Sequence, residues 1–498
     1  MKNEEKKHGA EFHSGLTVER ARAMAEQAVG SIWRQVEEGQ PIPRQAMAIL
    51  CELTAHGDRE VAQAGVTALF PGLIERLNDS FAPEAPGLYV QVFGRVIDYY
   101  RRRPEAALLD ETLNRFGLRT ISDLAARHER IKSRRAVPAD ELRDARKVLF
   151  LSRVTIGADV AVTSVLMDGL RKVMPRAELV LFGSRKLGEL YGGDPRIRVH
   201  EIAYQRGGSV LSRLTSWRDV IAAVNEERIG LAPGELCVVD PDSRLTQLGL
   251  LPLLDDESNY FFFPSREYGE APEASLGQLA SAWVSELTGE PGPSWSFLAL
   301  PEKYRRMGDE MATSLRRGDA SRIATVSLGV GGNEEKRLST EFERDLIRHL
   351  TNRYCVILDK GAGPEETRTI DELTANLKSE GKTIVEATEE NWSRILASEA
   401  IQAHVLTWEG GIGSLAGLIA ASDRYVGYDS SGQHLAAAMQ VPSLTVFVTN
   451  NPPVFAERWR PYGQGDNRVF RVDDKGMGGN EVMGRMGRMG PMGPMGEV

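Results

Sequence analysis

Several stretches of this sequence place chemically capable residues where an apolar strand gives way to a loop. In RYVGYDSSGQHLAAAMQVPSLTVFV, residues 424–448, Asp429, Ser430, Ser431, Gly432 and His434 crowd the opening of a short helix. The first turn of a helix has unpaired N–H groups and the positive end of its dipole, so a small, hydroxyl-rich opening admits an anion. The same residues also serve as ordinary N-caps. His434 either packs beside Leu435 or faces the bound phosphates.

Upstream, SLGVGGNEEKR sets Gly329, Gly331 and Gly332 after a strand and follows them with Lys336 and Arg337. Gly-rich backbone beside a cation cradles a diphosphate; the spacing is not that of a P-loop, and a plain Gly loop with two solvated bases is the alternative. In LDKGAGPEETRTI a Gly turn precedes Glu365 and Glu366, which either begin a helix or accept from ribose hydroxyls. SRVTIGADVAV delivers Asp159 through Gly157 and Ala158 to a helix start, as a first-turn acid or as a general base at a strand's carboxyl end. The pair Asp240-Pro-Asp242 resembles a metal-binding acid pair, but Asp242 and Ser243 also suit a cap, and no metal site is assigned.

These loops need a framework. Residues 15 to about 130 show helical apolar spacing, as in LTVERARAMAEQAVGSIWRQVEE, with no strand between. Strands then alternate with helices: 147–151, 178–183, 197–203, 235–240 and 260–265, a mostly helical bridge, and 323–329, 354–360, 382–388, 404–408, 424–429 and 443–448. Such alternation predicts two parallel, doubly wound sheets facing a cleft. The expected divisions are a helical domain at 1–143, a Rossmann-like acceptor domain with its bridge at 144–318, a Rossmann-like donor domain at 319–474, and a disordered Gly/Met-rich tail at 475–498.

The 498 residues carry a net charge of -9, which argues against a general nucleic-acid binder and leaves membrane contact at most peripheral. No apolar run approaches the ~20 residues of a membrane span, and no secretory signal is visible. Cys51, Cys237 and Cys355 stand isolated in apolar settings, as buried free thiols do, so a reduced, cytoplasmic protein is expected.

Taken together, the loops resemble glycosyltransferase family 9, the heptosyltransferases. Asp429, Ser430, His434, Leu435, Ala436 and Ala437 stand at the spacing of that family's donor signature, with Ser431 at its Gly and Gly432 one place later. GADVAVTSVLMDGLRKVMP resembles its Gly-Asp motif, with Ala158 inserted and Val165 in place of a Pro. The resemblance spans about residues 145 to 473. It implies a GT-B fold with an extra N-terminal helical domain, and inverting transfer of a heptose-like sugar without a metal. The donor it implies is an ADP-linked sugar and the acceptor a hydroxyl of a glycan or glycolipid. Asp159 would be the base; Lys336, Gly331, Gly332, Asp429, Ser430, Ser431, Gly432 and His434 would hold the diphosphate; Glu365 or Glu366 would hold the ribose. A sugar-nucleotide 2-epimerase of the same architecture and a catalytically silent glycan-binding or scaffold member are the rivals.

Overall fold

The computed structural model describes residues 15–133, 137, 142–204, 207–269, 271–318, 320–397, 400–448 and 452–472. The Gly/Met-rich tail expected from residue 475 lies outside them. Two wholly parallel sheets make up the α/β part. The first contains β1 (Lys147–Leu151), β2 (Glu178–Gly183), β3 (Ile197–Glu201), β4 (Leu236–Asp240) and β5 (Tyr260–Phe262), in the order β3-β2-β1-β4-β5. The second contains β6 (Ile323–Ser327), β7 (Cys355–Asp359), β8 (Ile384–Thr388), β9 (Val405–Glu409), β10 (Arg424–Tyr428), β11 (Ser443–Val448) and β12 (Asn467–Val472), in the order β12-β11-β10-β6-β7-β9-β8. Eleven of these strands are the ones the sequence predicts. The twelfth, NRVFRV, is a half-buried edge strand whose arginines hide its pattern.

The central strands are covered on both faces, as parallel strands require. Along β1 the side chains alternate between two cores: Leu149 and Leu151 enter one, Val148 and Phe150 the other. The first core runs without a break into the N-terminal helices, joining Leu50, Phe93, Ile97 and Leu124 to Val180, Phe182 and Trp217. The helices between 18 and 132 therefore do not form the separately cored unit expected from the sequence; they cover one face of the first sheet. Arg127, 2% exposed, ties them down through Glu257 at 2.8 Å and the Gly249 carbonyl.

The second core joins the two sheets, because Leu415, Ile419, Tyr425 and Leu435 from the C-terminal half pack with Val165, Leu166 and Trp283 from the first. The bridge helix Glu302–Arg317 crosses the helix Ile412–Ala420 at backbone contact. A Cβ on Gly308 would overlap the Gly417 carbonyl, and one on Gly417 the Tyr304 carbonyl. Gly417→Ala should force the helices apart and cost ~1–3 kcal/mol, the usual penalty of overpacking, so its melting midpoint should drop by several degrees. An unchanged midpoint would show that the crossing has slack.

Candidate active site

Each sheet reverses its winding once, between β1 and β4 and between β6 and β10. At such a switch point neighbouring loops diverge and leave a crevice at the strands' carboxyl ends. Loops from both crevices line one cleft of about 2060 Å³, together with helical residues that include Trp33, Glu75, Arg76 and Asp79.

On the C-terminal wall, Lys336 donates from Nζ to Asp429 Oδ2 at 2.6 Å, and Gln433 Nε2 donates to Asp429 Oδ1 at 2.8 Å. Asp429, Ser430 and Ser431 all line the cleft at the start of the helix Ser431–Ala438. Ser430 is the N-cap residue but makes no side-chain cap bond, so the helix's first donors are not consumed by it. Gly331 and Gly332, with φ of 63° and 82°, border the cleft with open space where a Cβ would stand. The sequence thus names most of this wall.

Two of the candidates are buried. Gly432 is buried against the Tyr425 ring, where a Cβ would overlap the phenol oxygen, so packing alone requires its smallness. His434 borders the cleft but is 3% exposed, and burial pulls its pKa down to about 4. It is neutral near pH 7 and offers a hydrogen bond, not a charge; its Nδ1 has no partner among the described residues.

The two glutamates part company. Glu365 is exposed and outside the cleft lining, whereas Glu366 is buried. Its Oε1 accepts from the backbone N–H of Val330 and Gly331 at 2.9 and 3.0 Å, and its Oε2 from that of Ala362 at 2.7 Å. Glu366 therefore staples the Gly-rich loop after β6 to the loop after β7, with both oxygens engaged. Beside it Asp359, pushed up to about 6 by burial, accepts from Ser327 at 3.0 Å.

The N-terminal wall departs further from expectation. Gly157 and Ala158 line the cleft, but Asp159 lies beneath them at 1% exposure. Its Oδ2 accepts from Ser152 at 2.6 Å; its Oδ1 accepts from the Arg153 backbone at 2.7 Å and from Thr163 at 2.9 Å. The inserted Ala158 takes the cleft position, and Asp159 opens a π-helical turn, Asp159–Thr163, that turns its carboxylate into the loop. The sequence expects this carboxylate to face the acceptor; the structure holds it within the loop by three hydrogen bonds. That loop is strained, since Val154 is β-branched yet left-handed at φ 64°.

The acid pair after β4 is also engaged internally. Asp240 is fully buried and accepts from Ser243 and Thr246. Asp242 accepts from Ser265 at 2.8 Å and pairs with Arg266. Arg153, drawn down to about 10 by burial, completes this cluster through the Pro241 carbonyl and Ser265. Arg153, Arg244 and Arg266 give the wall its cations, and no motif in the sequence points to them.

Burial raises the Asp159 carboxyl from 3.8 to about 6, so the folded state holds its proton more tightly than the unfolded chain. The cost of ionising it is absent below pH 3.8 and complete above pH 6. As pH rises from 4 to 7, wild type should lose up to ~3 kcal/mol relative to Asp159→Asn, at ~1.4 per unit. Melting curves of both proteins across that range check this, and a constant difference would refute the raised pKa.

Comparison with known proteins bears on the C-terminal wall. The sequence model of Glycosyltransferase family 9 (heptosyltransferase) matches residues 371–476. A sequence search of curated proteins gives no match. Among solved structures, a family 9 glycosyl transferase from Veillonella parvula DSM 2008 aligns at 14% identity and a TM-score of 0.47, over 66% of this chain and 87% of that one. Heptosyltransferase II of E. coli aligns at 16% and 0.45, over 69% and 98%. E. coli heptosyltransferase WaaC with ADP-2-deoxy-2-fluoro heptose aligns at 16% and 0.46, over 69% and 100%. The matched segment contains Asp429 and the His434-Leu435-Ala436-Ala437 run on which the resemblance rests.

Proposed function

We propose that the cleft moves a heptose-like sugar from an ADP-linked donor to a hydroxyl of a glycan or glycolipid, inverting the anomeric carbon. The two sheets and their cleft correspond, in this reading, to a GT-B enzyme whose acceptor side is extended by the N-terminal helices. The observation that carries it is the meeting, at the switch point of the second sheet, of Lys336 with the opening of the helix Ser431–Ala438. Negative charge grows on the departing diphosphate, and a fixed cation with a helix N-terminus stabilises it there. Those groups perform the task often given to a metal. The carboxylates of Asp240 and Asp242 are already bound to neighbouring donors, which supports a reaction without a metal at that pair.

Glu366 keeps the Gly-rich loop open beside Lys336 and reaches the ribose through the loops it staples. Neutral His434 adds a hydrogen bond near the diphosphate. Cys51, Cys237 and Cys355 are all buried and unpaired, which fits a reducing compartment such as the cytoplasm. No helix among the described residues is long and apolar enough to cross a membrane.

ADP should raise the melting temperature, and UDP should do so less. A ligand at ~100 times its dissociation constant adds about 2.7 kcal/mol. Lys336→Ala should weaken ADP binding about tenfold or more, because it removes the wall's charge-assisted donor. Titration calorimetry with ADP measures both effects; wild-type affinity in Lys336→Ala would remove Lys336 from the donor site.

A further inference from the structure

With Asp159 sealed under its loop, the acceptor's proton needs another destination. Most enclosed carboxylates of the cleft are committed. Asp159 accepts three hydrogen bonds, and Glu366 accepts three. Asp242 is held by Arg266 and Ser265, Asp429 by Lys336 and Gln433, and Asp359 by Ser327. Asp79 differs. It is half-buried, it lines the cleft, and among the described residues no hydrogen bond or ion pair holds its carboxylate.

Its position is fixed by packing. Asp79 lies on the helix Arg76–Ser80, which continues from the helix Arg59–Leu69 through the π-helical turn Phe70–Glu75. Leu77, on the same turn, is buried in the core shared with the first sheet. The chain then turns left-handed at Phe81, φ 49°, whose ring packs against the Phe447, Phe455 and Trp459 cluster of the C-terminal half. The Arg458 guanidinium lies 5.9 Å from that ring. The helix end is thus anchored to both halves of the molecule. The cations that act most on Asp79 come from both walls: Arg266, then Arg244, then Lys336.

We propose that Asp79, supplied by the N-terminal helical region, is the general base of this cleft; the proposal rests on the glycosyltransferase reading above. The acceptor oxygen attacks the anomeric carbon, the bond from that carbon to the diphosphate breaks with its electron pair leaving on the diphosphate, and the acceptor's proton passes to the Asp79 carboxylate. Burial raises that carboxyl's pKa against the pull of the three cations, which makes it a stronger base than an ordinary carboxylate. The N-terminal helices thereby gain a function: they form the acceptor end of the cleft and bring its base.

Water serves as the acceptor in the test. Release of ADP from ADP-heptose is followed in wild type, Asp79→Asn, Asp79→Glu and Asp159→Asn, with ADP affinity measured by calorimetry on each. Asp79→Asn should slow ADP release by 10²-fold or more, the usual contribution of a general base, with a melting temperature no lower and ADP affinity no weaker than wild type. Asp79→Glu should recover part of the rate. Wild-type turnover in Asp79→Asn, or a loss of ADP affinity and melting temperature that accounts for its slowing, would overturn the assignment while leaving the donor site standing. A 10²-fold loss confined to Asp159→Asn would overturn it in favour of the loop aspartate. Wild-type protein that neither binds ADP nor releases it from ADP-heptose would overturn the donor reading and this proposal together.

Discussion

The core in which Val165, Leu166 and Trp283 meet Leu415, Tyr425 and Leu435 holds the two halves of this molecule together. A pair of sheets joined only by a flexible linker would leave the two switch points free to drift. Here the bridge helix, the helix Ile412–Ala420 and the core that includes Tyr425 and Leu435 hold them. Loop Ile156–Ala158 then lies against the opening of the helix Ser431–Ala438, close enough that a Cβ on Gly157 would sit 3.4 Å from the Ser431 Cα. Side chains from opposite halves can address one substrate because so little space separates their loops.

The same closeness governs the electrostatics. Asp159, Asp240 and Asp359 are each pushed up to about 6 by burial, yet each is fed by hydroxyl or backbone donors that favour its charged form. These carboxylates work as local fasteners for the loops at β1, β4 and β7, and their partners are short-range. Lys336 and the cluster of Arg153, Arg244 and Arg266 bring the opposite charge to the space between them. Fixed charges in a partly desolvated cleft cost little reorganisation when a diphosphate departs.

The sequence made the framework legible because parallel strands are written as short apolar runs between helices. KVLFL, LCVVD and CVILD need no context to be recognised. NRVFRV escaped because an edge strand can carry arginines. On the C-terminal wall, residues close in the chain are close in space, so Asp429, Ser430 and Ser431 could be named together as neighbours. Lys336 lies 93 positions from Asp429 and was reached through its Gly-rich context and the resemblance. Glu366 could not be told from Glu365, since only the fold decides which of two adjacent acids turns inward. Asp159 lies deeper than its motif suggests, because the extra residue Ala158 takes the position that lines the cleft. Nothing local could have joined Asp79 to Lys336 across more than 250 residues.

The unbroken core between the N-terminal helices and the first sheet also governs the order of events during synthesis. Arg127 finds its partner in Glu257, 130 residues later. At ~5–20 residues per second that is a wait of roughly 7–26 s. The apolar faces that meet Tyr260 lack that cover for the whole interval. The N-terminal helices thus find their final cover only once β5 has been made.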